Sequence, residues 1–420
     1  MERRALVIGG SLGGLTAALL LRERGFTVSV YERSAQLADR GAGIVAHPET
    51  LRYLLERDLA DLDELSLPGG DLRYLDRDGA FLWEQPSGYR FTSWFALYAR
   101  LLGLLPDGAM HFGQALRDFD ADADGVTVRF ATGVKERCDV LVCADGIAST
   151  ARKILLPVVT MLYSGYIGWR GTVPMGELPR RLRASLGDQI TYQLLDSGHT
   201  LAYPIPGSDL PTSSRGSYLN WIWYRRVDDG PGLARVMTDR NGWHHDLSVP
   251  PGEVAAAAES ELRDAASKLL ADDLAALVDT TPRLFIQRIV DVDVPQMAFG
   301  RVCLVGDAAF VARPHAAAGT AKAAADGWSL ADALEGADDI AAALLRWQPG
   351  QLQLGRQLVE RSRRLGETQF RGEWVPGDPS LLFGLRAPGD SCFATSAASP
   401  FTPSQELNPP MSEKESQWQT

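Results

Sequence analysis

Acidic residues at the carboxyl ends of apolar runs are the groups here best placed to do chemistry. Glu32 closes the alternating run 27–31, Asp145 closes 138–144, and Asp307 follows 300–305 through Gly306. Glu32 is coupled to a glycine cluster. Apolar residues 5–8 lead into Gly9, Gly10, Ser11, Leu12, Gly13 and Gly14; a helix is expected over 15–23, Gly25 ends it, and the second strand stops at Glu32. A βαβ unit closing within about thirty residues is the pattern of dinucleotide binding. Glycines let the backbone turn tightly and approach a pyrophosphate, the helix N-terminus offers unpaired N–H groups, and the carboxylate accepts from a ribose diol. Ser11 departs from G-x-G-x-x-G at the second glycine, where its small side chain weakens the match without removing it. Gly9, Ser11, Leu12, Gly14 and Glu32 are the expected contacts.

The other two carboxylates must be positioned in the same way. Asp145-Gly146 is followed by Ser149 and Arg152, and Gly306-Asp307 by Arg313-Pro314-His315, small residues to Ala318, Gly319-Thr320 and a helix expected over 321–334. Each places its acid where open α/β sheets bind ligands. Singly, either reads as a turn or a capped helix start; three in order from Gly9 to Asp307 point to one cofactor site.

Composition narrows the class. The 420 residues suffice for two domains, and 45 % apolar with 23 % charged residues is ordinary for a globular protein. A net charge of −11 argues against nucleic-acid binding. Cys138, Cys143, Cys303 and Cys392 show no C-x-x-C spacing, so neither a disulfide framework nor a zinc site is expected. His244 and His245 stand in a polar loop without partners at ligand spacing, and no metal is assigned to them. The first strand starts close to Met1 and no apolar run reaches the ~18 residues of a membrane span. A cytoplasmic enzyme with no leader and no membrane partner is the expectation.

With these motifs in this order the chain resembles the flavoprotein aromatic hydroxylases, the single-component FAD monooxygenases typified by p-hydroxybenzoate hydroxylase. The resemblance rests on Gly9–Gly14 with Glu32-Arg33, on Asp145-Gly146, and on Gly306-Asp307 followed by Pro314, and it covers residues 1–385. It implies that the first motif holds the ADP part of FAD. The middle one would lie by the cofactor and support FAD and NAD(P)H use, and Asp307 would bind the ribityl chain. A closer resemblance is to the subgroup of 2,6-dihydroxypyridine 3-monooxygenase. Its carriers are Gly9-Gly10-Ser11, Gly43-Ile44-Val45, Thr92-Ser93, Gly165-Tyr166, Trp169-Arg170-Gly171, 202–207 (AYPIPG) and 313–318 (RPHAAA). A serine at the second glycine position is usual there. In the wider family's P-x-x-G-x-G segment, Ala317 replaces a glycine and Ala321 an asparagine, while Gly319 and Asp326 fit. Trp94 stands where many members place an FAD-binding arginine, so phosphate contacts are assigned to Arg33 or Arg40.

The implied fold is α/β: a Rossmann-like FAD-binding domain with an inserted, mostly β substrate domain. The FAD domain is expected over 1–70, 96–155 and 285–345, and the substrate domain over 71–95 and 156–284. C-terminal helices should occupy 346–386 and a disordered Ser/Pro/Glu-rich tail 387–420. Runs 191–195 and 200–205 read as a hairpin turning at Ser197-Gly198, with Tyr192 opposite Tyr203. Run 217–224 alternates, placing Leu219, Trp221 and Trp223 on one face and Tyr218, Asn220, Ile222 and Tyr224 on the other. Residues 253–277 read as one or two helices, as do 340–365.

The implied chemistry is reduction of FAD by NADPH or NADH, reaction with O2, and attack of a flavin C4a-hydroperoxide on an electron-rich ring carbon. One fingerprint serves FAD, and NAD(P)H binds transiently. A helix from Gly319-Thr320 would aim its positive end at the flavin, beside which Val45 would run. Deprotonating or hydrogen-bonding the substrate hydroxyl falls to His315, His47, Tyr192, Tyr203, Tyr224 or Arg170. His315 is the leading base, with an imidazole expected to titrate near neutrality. The bland alternatives are a tyrosine pair in the core, a solvated His199 and a structural Arg170 ion pair. The partners are a small aromatic substrate (a hydroxypyridine, a phenol or a biosynthetic polycyclic) and O2, with a homodimer left open. Epoxidation or Baeyer–Villiger oxidation by an FAD monooxygenase is the alternative activity, and a non-catalytic flavin-binding protein the third reading.

Overall fold

The computed structural model describes residues 3–35, 43–207, 216–373 and 383–387. Arg40 and the tail from 388 lie outside the described residues.

Two sheets position everything else. The first has six strands in the order Ala298–Phe299, Val302–Leu304, Val140–Cys143, Arg3–Ile8, Phe26–Tyr31 and Met110–His111. Arg3–Ile8 pairs in parallel with both Phe26–Tyr31 and Val140–Cys143, which pairs in parallel with Val302–Leu304. Val140–Cys143, Val302–Leu304 and the end of Arg3–Ile8 read as apolar runs because both faces are covered, as parallel sheets require, whereas Phe26–Tyr31, nearer the edge, alternates. The helix Leu12–Glu23, rich in Ala and Leu, buries Leu15, Leu19 and Leu20 and packs beside the helix Gly319–Leu334. All three strand ends that carry an acid therefore open on the same edge.

The second sheet has eight strands: Ser248–Val249, Phe285–Asp291, Leu162–Pro174, Tyr218–Arg226, Gly198–Ile205, Ile190–Leu195, Leu72–Leu75 and Phe81–Gln85. Its alternation sorts two cores. Trp169, Trp221, Trp223 and Ala202 pack on one side against Leu262, Leu274 and Leu277 of the helices Ala256–Leu269 and Asp272–Thr280. Tyr192, Leu201, Tyr203, Ile222 and Tyr224 share the other face. The strand Tyr218–Arg226 thus divides its side chains as the alternation predicts.

Three expectations need correction. The hairpin turns one residue early, with Leu195 opposite Gly198 and Tyr192 opposite Leu201 rather than Tyr203. The slip is two residues, so no side chain changes face. The expected boundary at 285 falls inside the eight-stranded sheet, because Phe285–Asp291 pairs with Leu162–Pro174. Within the expected substrate segment 71–95, Arg90–Ser93 pairs instead with Gly43–Val45 and Leu67–Pro68 in a separate three-stranded sheet. The last helix runs unbroken over Ile340–Phe370 with Pro349 inside it. It lies across both sheets' shared side, where Phe370 joins the core around Tyr166 and Tyr224.

Candidate active site

The glycine turn forms because no side chain fits there. Gly9 has φ +97°, and a Cβ on it would stand 2.2 Å from the carbonyl oxygen of Ala144 at the neighbouring strand end. A Cβ on Gly14 would stand 2.0 Å from the Gly9 carbonyl. Gly9 is therefore a packing requirement, while Ser11, Leu12, Gly13 and Gly14 border the cavity beyond it. Glu32 closes the turn: its carboxylate accepts from the Gly10 N–H at 3.0 Å and the Ser34 N–H at 2.9 Å. Arg33 is exposed beside it.

At the second strand end the acid is engaged locally. The Asp145 carboxylate accepts from the Ser149 hydroxyl at 2.6 Å and the Ala151 N–H at 3.0 Å, capping the helix Thr150–Leu155. That local bond turns it away, and Ala144 and Gly146 border the cavity in its place. Arg152 ties this end to the third. It is 2 % exposed and donates to the carbonyls of Ile147, Asp307 and Ala308. The Asp307 side chain is exposed to the cavity, and desolvation by the protein packed around it pushes its carboxyl up to about 6 against the opposing pull of Arg152 and Lys322. Beneath it the buried Asp326 accepts from the Gly306 N–H at 2.8 Å and from Lys322 Nζ at 2.6 Å.

Past Asp307 the chain passes Pro314–Ala316 and turns at Ala317, a non-glycine residue at φ +55°. The helix Gly319–Leu334 starts there with no side-chain cap, and Ala318, Gly319 and Thr320 at its start border the cavity. A Cβ on Gly319 would meet nothing within 4 Å. The Thr320 hydroxyl lies 3.2 Å from that of Thr50.

One cavity of about 360 Å³ runs from the glycine turn to the eight-stranded sheet. Val45, Trp94 and Asp307 border its middle; Ile190, Tyr192, His199, Leu201, Tyr203, Ile222 and Tyr224 form the far wall. Tyr203 stacks on Phe91 at 4.1 Å and donates its hydroxyl to the Gly43 carbonyl at 3.2 Å. Tyr192 stacks on Tyr74 at 5.3 Å. Arg170 donates to the Gln287 side chain at 2.6 Å and reaches the Gly43 carbonyl at 3.5 Å. Arg313 is held by the buried Asp291, which also accepts from Arg363.

The histidines exchange their expected places. His47 is 0 % exposed, caps the helix Pro48–Leu55 by accepting from the Glu49 N–H at 3.1 Å, and does not border the cavity. His199, read as solvated, is 2 % exposed on the cavity wall, 4.9 Å from the Tyr224 ring and 5.4 Å from the His315 ring. Burial pulls its imidazole down to about 3. His315 is on the wall as expected, with Nε2 2.7 Å from the Tyr166 hydroxyl and a buried Nδ1 that has no partner among the described residues. Its expected near-neutral titration is corrected: burial first, then His199 and Arg313, hold it well below the usual imidazole range. Both rings are neutral at neutral pH. Assigning the Tyr166 proton to Nε2 leaves the His315 proton on Nδ1.

Comparison with known proteins agrees with this arrangement. Residues 7–54 match the NAD(P)-binding Rossmann-like domain, and residues 163–291 a family described as FAD binding domain-like. The 2,6-dihydroxypyridine 3-monooxygenase of Paenarthrobacter nicotinovorans is 38 % identical over 387 residues, 91 % of this chain and 96 % of that protein. The chain belongs to the FAD-dependent aromatic-hydroxylating monooxygenases. The 3-amino-4-hydroxybenzoate 2-monooxygenase of Streptomyces platensis is 31 % identical over 86 % of this chain and 87 % of its own length. The solved 2,6-dihydroxypyridine-3-hydroxylase of Arthrobacter nicotinovorans superposes with a TM-score of 0.86 at 36 % identity, covering 91 % of this chain and 97 % of that one.

As a member of that family the enzyme takes FAD as cofactor and NAD(P)H as co-substrate. The residues present fit FAD. A glycine-rich turn, an uncapped helix N-terminus and a carboxylate exposed to the cavity border one continuous space. Sequence reasoning missed His199, Arg313 with Asp291, and Phe383 of the far wall. The RPHAAA segment already held Arg313; His199 gave a signal only in its parity with Tyr192.

Proposed function

We propose that this monooxygenase hydroxylates an uncharged, hydroxylated pyridine-type ring. The observation that carries the reading is the neutral make-up of the far wall, where phenols and aliphatic side chains surround the two buried imidazoles of His199 and His315. Of the two guanidiniums bordering the cavity, Arg313 is paired with the Asp291 carboxylate, whereas Arg170 is held away from that wall by neutral partners, Gln287 and the Gly43 carbonyl, and its buried Nε has no partner among the described residues. A neutral imidazole offers one N–H and one lone pair, which suits a ring carrying both hydroxyl and pyridine nitrogen.

In this reading Ser11, Leu12, Gly14, Glu32 and Arg33 take the adenosine diphosphate end of FAD. Asp307 takes its ribityl chain, and Val45, Gly319 and Thr320 border its ring. FAD, reduced by NAD(P)H, supplies the oxygen activation. The chain supplies position: His315 donates from Nδ1 and His199 pairs with a second ring substituent, while Tyr192, Tyr203 and Tyr224 fix the ring plane and exclude water. Arg170 holds the Gly43 backbone, and through it the flavin-side wall. The FAD part is built on the six-stranded sheet and the substrate part on the eight-stranded one. A cytoplasmic location is supported by three buried free thiols; among the described residues no helix is long and apolar enough to cross a membrane. Assembly as a homodimer is a proposal to be read from the mass in solution.

The test is substrate-stimulated NADH and NADPH oxidation with mass analysis of products. 2,6-Dihydroxypyridine should stimulate and gain one oxygen, whereas 6-hydroxynicotinate and 3-amino-4-hydroxybenzoate should not. Preference for a carboxylated ring sinks the reading.

A further inference from the structure

We propose that residues 383–387 form a strap closing the substrate end of the cavity, and that Phe383 sets which rings fit beneath it. The proposal rests on the reading of this cavity as the substrate site. Sequence distance hides the relation, since the strap lies beyond the last helix while the wall it completes comes from residues 190–224.

The anchoring is specific. The Gly384 N–H donates to the Ala316 carbonyl at 2.8 Å, one residue past His315. Arg361, from the helix Ile340–Phe370, donates to the carbonyls of Gly384 and Leu385. Leu385 is 1 % exposed, in the apolar cluster that contains Tyr166, Tyr224, Leu365 and Phe370. The His47 Nε2 lies 3.4 Å from the Leu385 amide nitrogen. Buried capping residue His47 therefore meets the strap rather than the substrate.

Just ahead of these anchors Phe383 borders the cavity, half-buried and edge-on to Tyr89 at 5.9 Å. Phe383 and Tyr89 add apolar surface to the far wall. Removing the Phe383 ring opens a path for water toward the reacting carbon and widens the space available to a ring. Because the strap's backbone is bonded to the residue next to His315, it also steadies that imidazole. The effect belongs to substrate binding and coupling, since the strap is bonded to Ala316 and Arg361 and its ring packs on Tyr89.

The experiment compares full-length enzyme with Phe383→Ala, Phe383→Tyr, a chain ending at Ala387 and a chain ending at Glu373. Each is measured for FAD content, substrate KM and product formed per NAD(P)H consumed. Phe383→Ala should keep FAD, raise KM, lower the product ratio with H2O2 making up the difference, and accept bicyclic rings that the parent rejects. Phe383→Tyr, which keeps the ring, should recover most of the product ratio lost in Phe383→Ala; the chain ending at Ala387 should behave as the parent, and the chain ending at Glu373 as Phe383→Ala. Parental KM, product ratio and ring preference in Phe383→Ala overturn the proposal even where the shortest chain fails to fold. Absence of turnover by the parent on any hydroxylated ring overturns instead the substrate-site reading.

Discussion

Replacing Asp307 with Asn should weaken FAD binding while sparing, or raising, the stability of the FAD-free protein. The carboxyl stands just past the strand Val302–Leu304 with burial pushing it up to about 6. Charge-assisted hydrogen bonds contribute about 1.5–3 kcal/mol against roughly 0.5–1.5 for neutral ones. Exchanging carboxylate for amide should therefore weaken FAD by roughly tenfold, at about 1.4 kcal/mol per decade. Folding should respond in the opposite sense. A carboxyl raised in the folded state stabilises the protein while protonated, fully so below its ordinary pKa, and that contribution is lost as pH rises through about 6. The amide carries no such loss. Thermal melts of FAD-free protein should show the variant at or above the parent at neutral pH, the difference closing in acid. Flavin fluorescence quenching should show parental affinity falling as pH drops through about 6, with a flat profile in the variant. Parental affinity and pH profile in Asp307→Asn would refute the placement of FAD. A lower neutral-pH melt in the FAD-free variant would refute the burial argument.

Arg152→Met should be strongly destabilising, because the carbonyls of Ile147, Asp307 and Ala308 lose their shared donor inside the protein. At about 1–3 kcal/mol per stranded group, the unfolding free energy from urea titration should fall by several kcal/mol, lowering the midpoint, and FAD should be lost; an unchanged midpoint contradicts this. Ala317→Gly should stabilise by about 0.5–1 kcal/mol, since a left-handed non-glycine residue costs roughly 1–2 and glycine returns part as chain entropy. A lower melting temperature would show that the Ala317 methyl packs usefully. His315→Gln should keep FAD and its reduction by NAD(P)H but release H2O2 in place of product. Parental turnover should show no histidine limb near its usual pKa, and such a limb, lost in the variant, would reinstate His315 as a titrating base.

How much of this was legible depended on whether local pattern or tertiary packing decided the outcome. The glycine turn and Glu32 were readable because backbone geometry alone demands them. The two faces of Tyr218–Arg226 were readable because strand parity survives errors of register. The same parity put His199 beside Tyr192 and Tyr203, yet part of its cover comes from a segment far along the chain, the His315 ring at 5.4 Å. No local pattern announces that contact. His47 stands off the cavity because an imidazole beside a helix start also serves as a cap, and Asp145 is tied to the Ser149 hydroxyl and the Ala151 N–H at the next helix start, neither of which a strand-end pattern announces. Phe383 was invisible because a chain end reaches the site only through the fold. The His315 position followed from Pro314, but its proton affinity is set by burial beside His199 and Arg313, which are distant or unpaired in sequence terms.

The central claim is that this cavity brings an uncharged hydroxylated ring to FAD for insertion of one oxygen atom. The most direct measurement is turnover under 18O-labelled O2 with 2,6-dihydroxypyridine, following isotope in the product against NAD(P)H consumed. The account predicts one labelled oxygen atom per product molecule, close to one product per NAD(P)H, and collapse of that ratio in His315→Gln. Unlabelled product, or NAD(P)H oxidation yielding H2O2 alone across a panel of hydroxylated heteroaromatic rings, would contradict it.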